Sequence, residues 1–284
     1  MKIKVTYMSG AGNLFSVIDN SLYNISHNQL VKLSPFLCQS EVYKTEGLLV
    51  INDHNYPFNV DFYNPDGSFG AMCGNGARCV IKFLKEKKII EPYLNIINFI
   101  MCGEYYDAIY EGDNIAIYFQ SPNQFQNNIK IDYNACIIEG SYVDVGSKHF
   151  VVNLKKQENW KNIKIGDFEL LKIAPYFRYN KQFKPDGVNF NIYEVKNKNK
   201  IILRTYERGV EGETGACGTG AISAALTSVM NNETNFPVTV IPPSKIPVKV
   251  DIIGKVNKII KISLEGPAEF LGEVELDLPK IKKR

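Results

Sequence analysis

The sequence has no apolar run approaching the roughly 18 residues that a membrane-spanning helix needs, and residues 1–12 lack the basic cap and apolar stretch of an export signal. A soluble, cytoplasmic protein is expected, with no membrane partner. Charge of one sign is not in excess either. The 33 Lys and Arg stand against 30 Asp and Glu, and a net charge of +3 supplies no strong field for nucleic acid. A small, roughly neutral partner is expected instead. Metal-ligand spacing is missing: Cys73 and Cys79 stand six apart, no Cys-x-x-Cys occurs, and the three histidines are scattered. No phosphate loop is present. Gly10-Ala-Gly12 begins like a dinucleotide fingerprint, but Phe15 occupies the third glycine position and residues 16–19 read as strand where a helix is required. No metal and no cofactor are therefore expected.

A chain of 284 residues buries ample core without staples, so its six cysteines need not form a disulfide framework. Cys38, Cys102 and Cys136 lie in apolar surroundings and read as small buried hydrophobes. Short β-branched and aromatic runs recur at 3–8, 15–20, 47–52, 59–64, 94–101 and 114–120, and again at 128–133, 149–154, 188–195, 201–207, 238–241, 246–253 and 259–264. Strands outnumber helices in both halves.

Two helices are clear, and they begin alike. Cys73-Gly-Asn-Gly-Ala77 leads into a helix at 78–88, where Ala77, Val80, Ile81 and Leu84 share a face. Cys217-Gly-Thr-Gly-Ala221 leads into a second at 222–230, with Ala221, Ile222, Ala225, Leu226 and Val229 apolar and few charges. The motifs are 217 − 73 = 144 residues apart, half the chain, which reads as an old duplication. A boundary is expected near the turn-rich Ser121-Pro122-Asn123.

A cysteine just before a helix, followed by two glycines, faces backbone N–H groups that have no partner within the helix. The helix field stabilises an anion there by up to about 2 kcal/mol, enough to bring a thiol from about 8.5 to about 7.5. One such turn suits a nucleophile or a redox thiol. Two suit a symmetric reaction: inverting a carbon centre takes a base on one face and an acid on the other, and the roles exchange in reverse. The negative charge that develops in the intermediate is stabilised by helix ends directed at it. The bare motifs are equally compatible with two helix-starting turns whose cysteines are incidental.

The longer strings are more specific. Asn64-Pro-Asp-Gly-Ser68 with Met72-Cys-Gly-Asn-Gly-Ala-Arg-Cys79, and Tyr206-Glu-Arg-Gly209 with Glu213-Thr-Gly-Ala-Cys-Gly-Thr-Gly220, resemble the two signatures of the diaminopimelate epimerases. Gly10-Ala-Gly-Asn13, Gly146-Ser-Lys-His149, Pro185-Asp-Gly-Val-Asn189 and Gly266-Pro-Ala268 extend the resemblance over nearly the whole chain. It implies an α+β fold of two pseudo-symmetric halves, each a curled, mainly antiparallel sheet around a central helix, with the active site in the cleft between them. Residues 1–121 with a returning 267–284 would carry Cys73, and 122–266 would carry Cys217. The tail at 279–284 reads as a solvated basic end.

By the same resemblance, Cys73 and Cys217 would be the acid and base of a cofactor-independent epimerisation of LL- to meso-diaminopimelate, serving lysine and cell-wall precursor biosynthesis. The N–H groups of Gly74, Asn75, Gly218 and Thr219 would hold the reacting carboxylate, with the Asn75 side chain added. Asn64 and Glu207 would contact the amino group, Arg208 the distal carboxylate, Asn13 and Asn189 the distal end. His149 would lie beside the first cysteine in a relay or orienting role. The small amino-acid substrate is the one expected partner, and a homodimer is the candidate assembly.

Three departures bear on the substrate. Ser147-Lys148-His149 stands where the family often has Asn-Pro-His, Glu46-Gly47 where it has Asp-Gln, and the loop after Gly209 is longer by one residue, with Val210 and Glu211 before Gly212. The alternatives are a racemase of another amino acid of histidine or proline type, although relatives acting on proline usually carry histidine where Asn75 stands, and a non-catalytic binding protein.

Overall fold

The computed structural model describes residues 2–40, 42–91 and 93–279. Most of the tail assigned above to a basic end, 280–284, lies outside them. The chain divides into two compact units, Met1–Tyr118 with Glu265–Arg284, and Phe119–Leu264.

The first unit contains β1 (Lys2–Gly10), β2 (Asn13–Asp19), α1 (His27–Cys38), β3 (Leu48–Ile51), β4 (Phe58–Tyr63), α2 (Gly74–Glu86), β5 (Ile96–Met101), β6 (Glu104–Glu111) and most of β7 (Asn114–Gln120). The second contains β8 (Gln124–Tyr133), β9 (Cys136–Asp144), β10 (Lys148–Asn153), α3 (Leu170–Arg178), β11 (Asn189–Asn197), β12 (Lys200–Glu207), β13 (Gly212–Glu213), α4 (Gly218–Met230), β14 (Val238–Ile241) and β15 (Val248–Lys255). The long β16 (Lys258–Asp277) begins in the second unit and ends in the first, where it pairs antiparallel with β1.

The duplication is explicit in the strand pairing. In the first unit β1–β2 is antiparallel, β2–β3 parallel, β3–β4 antiparallel, β4–β5 parallel and β5–β6 antiparallel. In the second, β9–β10, β10–β11, β11–β12, β12–β14 and β14–β15 repeat that alternation. Parallel neighbours need a crossover connection. The crossovers contain α1 and α3 in the first position, α2 and α4 in the second.

Each unit is built around its second helix. Ala77, Val80, Ile81 and Leu84 of α2 are fully buried, and α2 packs on β1, β2 and β3. In α4, Ile222, Ala224, Ala225 and Leu226 are buried, and the helix touches β9 to β12 and β14 to β15. The outer helices close separate clusters: Leu30, Leu33 and Leu37 of α1 with Ile3, Val5 and Val50, and Phe177 of α3 with Phe150, Trp160 and Phe190. Phe177 stacks on Phe190 at 4.5 Å.

The structure corrects several expectations. Both central helices begin at the first glycine, Gly74 and Gly218, four residues before the expected starts, because the preceding cysteine is itself the N-cap. Helices α1 and α3 and strands β6 and β9 were not foreseen. Cys38 is buried as expected, but Cys102 and Cys136 are half-exposed. Cys102 sits at φ 52° in the β5–β6 turn, and Cys136 receives a hydrogen bond from the Asn159 amide.

Candidate active site

In the first unit the predicted residues gather between the end of β4 and the first turn of α2. Asn64 closes a tight turn: its N–H donates to the Ser68 carbonyl at 2.9 Å and its Nδ2 to Ser68 Oγ at 2.9 Å. Asp66, receiving the Ser68 hydroxyl and N–H, has its carboxyl held below the ordinary range. The chain then reaches Cys73, extended at φ −118°, ψ 106°, whose Sγ accepts the Gly76 N–H at 3.4 Å. The N–H groups of the first helical turn, Gly74 and Asn75 among them, have no acceptor within the helix, so this end attracts an anion.

A buried chain of polar groups fixes that turn. Asn75 Nδ2 donates to Asn13 Oδ1 at 2.8 Å, Asn13 Nδ2 donates to Glu46, and Arg78 Nη2 donates to Asn75 Oδ1 at 2.6 Å. Asn13 and Asn75 are thus brought together, whereas the Asn64 side chain bonds within its own turn. Gly10 lets β1 approach this closely: a Cβ there would meet the Asn75 carbonyl oxygen at 2.3 Å. Gly10→Ala is therefore expected to cost about 1–3 kcal/mol in urea unfolding, through displacement of the α2 start, and to lower activity with it.

The second unit repeats this arrangement with different chemistry. Cys217, at φ −109°, ψ 111°, caps α4, and its Sγ accepts the Gly220 N–H at 3.3 Å and lies 3.7 Å from Thr219 Oγ1. Glu207, the last residue of β12, accepts the Thr214 hydroxyl and hydrogen bonds to Cys217. Burial lifts its carboxyl above the ordinary value against the pull of those bonds. Burial first, then the Glu207 charge, push the Cys217 thiol well up.

Asn189 is a strut between three segments. Its Nδ2 donates to Ser147 Oγ and the Lys148 carbonyl, both at 2.9 Å, and its Oδ1 accepts the Arg208 N–H at 2.8 Å. Arg208 itself is exposed. His149 is fully buried, and its protonation state can be assigned from its neighbour. Asn191 Nδ2 faces the carbonyls of Phe150 and Asn189 at 3.3 and 3.2 Å, so that atom is the amide nitrogen, and it donates to His149 Nδ1 at 3.0 Å. The ring proton is then on Nε2, which has no hydrogen-bond partner among the described residues. Burial lowers the imidazole to about 3; the Asn191 bond opposes this and the Arg208 charge reinforces it. His149 is a neutral Nε2–H donor at neutral pH. Asn191 and Arg78 are the residues that sequence reasoning passed over.

The departures from the family pattern have physical reasons. A Cβ at Gly47 would meet the Phe62 ring at 2.2 Å, so a glutamine there would require that ring to move. Lys148 pairs with Asp186 at 2.6 Å. In the longer loop, Glu211 anchors the extra residue, accepting from Arg178 Nη2 at 2.9 Å and the Tyr179 hydroxyl at 2.8 Å.

Comparison with known proteins places this architecture. The phenazine biosynthesis protein of the PhzF family from Bacillus anthracis has the same fold at 13% identity, with a TM-score of 0.71 over 98% of this chain and 100% of the other. Two pseudo-symmetric α+β halves therefore define the class. The diaminopimelate epimerase family model matches residues 5–95 and 141–265. The diaminopimelate epimerase of Hydrogenobaculum sp. (strain Y04AAS1) is 30% identical over 94% of this chain and 93% of the relative. That of Chlorobaculum tepidum is 31% identical over 92% and 96%. The chain belongs to the diaminopimelate epimerase family.

Proposed function

We propose that this protein is a diaminopimelate epimerase, an isomerase that interconverts the LL and meso forms by moving the α-proton between Cys73 and Cys217 without a cofactor. The observation that carries the reading is the matched pair of helix ends: two cysteine N-caps with nearly the same backbone angles, each Sγ accepting the N–H of the glycine three residues on.

One thiolate removes the α-proton, the other thiol returns a proton from the opposite face, and reversal exchanges them. Charge spreading into the reacting carboxylate is met by the N–H groups of Gly74, Asn75, Gly218 and Thr219. Asn64 and Glu207 take the amino group. Arg208 takes the distal carboxylate in a charge-assisted contact, with Asn13 and Asn189 holding the distal end in register. His149, as the neutral Nε2–H tautomer, orients a neighbour by donating a hydrogen bond. We place the enzyme in the cytoplasm, in lysine and cell-wall precursor biosynthesis, with a homodimer as the candidate assembly.

Gly47 supports one alternative. Where the family's glutamine would stand, the Phe62 ring takes the space instead, which suits a different distal group and so a racemase of another amino acid on the same scaffold. Proton NMR of LL-diaminopimelate in D2O decides between them. Loss of the α-proton signal with appearance of the meso isomer is expected. An untouched substrate, with exchange of another amino acid under the same conditions, would transfer the function to the sister racemase.

A further inference from the structure

Among the described residues Arg78 is the largest fully buried side chain, and none of their carboxylates is paired with it. Helical side chains lean toward the N-terminus. Arg78 follows that rule, its guanidinium folding back along α2 so that Nη2 reaches Asn75 Oδ1 at 2.6 Å while Nε reaches the Pro267 carbonyl at 3.4 Å. Nη1 has no hydrogen-bond partner among the described residues. A buried, partly unsatisfied guanidinium is costly, and arginine does not escape by giving up its proton at neutral pH. It calls for an anion nearby.

With the guanidinium folded back toward the start of α2, which Cys73 caps, its charge is felt by two thiols among the described residues, Cys79 first and Cys73 second. Cys79 is fully buried, and burial pushes its thiol far up, so it stays protonated. Cys73, half-exposed like Cys217, caps α2 and already accepts the Gly76 N–H. The other half-site lacks this cation: the position five residues past the cysteine, 73 + 5 = 78 in α2, corresponds to 217 + 5 = 222 in α4, which is Ile222. Around Cys217 stand the Thr219 hydroxyl, the Gly220 N–H and, in place of an arginine, the Glu207 carboxyl.

We infer that Arg78 is the counter-charge that holds Cys73 as a thiolate in the ligand-free protein, while Cys217, set against Glu207, is held as the thiol. The two halves share a backbone and differ in electrostatics, so the pair is charged in one defined order before substrate arrives. The catalytic meaning of that order rests on the two-cysteine reading above. The thiolate assignment does not. Arg78 acts through Cys73 and is a positioning residue.

The test is alkylation of the full chain by iodoacetamide from pH 5 to 10, with the rate at Cys73 and at Cys217 read separately by peptide mass spectrometry. In the wild type the Cys73 midpoint is expected to lie about one pH unit or more below that of Cys217. Arg78→Met is expected to raise the Cys73 midpoint by about one unit or more and leave Cys217 unmoved, which also reports that the second half is folded. Arg78→Lys, which keeps the charge, is expected to keep the Cys73 midpoint low. Should Arg78→Met not fold, the wild-type order and the lysine variant still decide. Equal midpoints, Cys217 titrating first, or a folded Arg78→Met protein with an unmoved Cys73 would overturn the inference. A low, Arg78-dependent Cys73 midpoint in a protein that epimerises no amino acid would uphold it and sink the functional reading instead.

Discussion

Cys73→Ser and Cys217→Ser are each expected to lower turnover of LL-diaminopimelate by about 10²–10⁴-fold, the range for losing a positioned acid or base. A helix end shifts a pKa by about one unit, far too little to make a serine hydroxyl an effective base at neutral pH. The fold, by contrast, has no reason to suffer. Serine is among the best N-cap residues, and its Oγ can accept the Gly76 or Gly220 N–H that each Sγ now accepts. The expected result is an unchanged or slightly raised melting temperature with activity nearly gone. On the proposed mechanism the two thiols act as a unit, so the double variant should be little worse than either single one. Proton NMR in D2O alongside thermal melts separates the cases: full activity in either serine variant contradicts the two-base mechanism.

Why these cysteines were legible in the sequence and their surroundings were not is a matter of range. A helix start is local. Cys-Gly-x-Gly before an apolar face announces its cap, its glycines and its field within a few residues, and most strands announce themselves by alternation. The elements that escaped carry mixed signals. Helix α1 opens with Ser26-x-x-Gln29, in which the Ser26 N–H and hydroxyl both donate to Gln29 Oε1, yet Pro35 inside it argues against a helix. Pro175 does the same in α3. Strand β6 is rich in tyrosine and acid, and its turn from β5 is Cys102-Gly103 at φ 52° and 87°, not the usual asparagine or aspartate with glycine. Arg78 was hidden for a different reason. A charged residue on a helix reads as solvated unless something shows that it folds inward, and what turns it inward is the Pro267 carbonyl, 189 residues away. Asn191 is similar: its meaning depends on two strands, β10 and β11, meeting in parallel register with His149 opposite Asn189.

Acidification from pH 7 to pH 4 is expected to remove about 3 kcal/mol of folding stability through His149 alone. The ring titrates at about 6.5 in an unfolded chain and at about 3 in the buried site. Between those values the unfolded chain binds a proton that the native chain refuses, so falling pH favours unfolding; above 6.5 neither form is protonated and the contribution is flat. At about 1.4 kcal/mol per pH unit, two and a half units give the stated loss. Carboxylates held low in the native state, Asp186 beside Lys148 and Glu273 beside Lys87 and Lys4, also lose stability in acid. Comparing wild type with His149→Gln removes that background, since glutamine does not titrate and its amide oxygen can still accept from Asn191. Urea unfolding at pH 7 and pH 4 should show the wild type losing about 3 kcal/mol more than the variant. Parallel losses would mean that the imidazole takes up a proton as readily in the native protein as in the unfolded chain, and would overturn the buried, neutral assignment. The expected excess loss instead shows a ring that stays neutral in the native protein, with Asn191 on Nδ1 and the proton on Nε2, as the proposed transfer of the α-proton by two thiols alone requires.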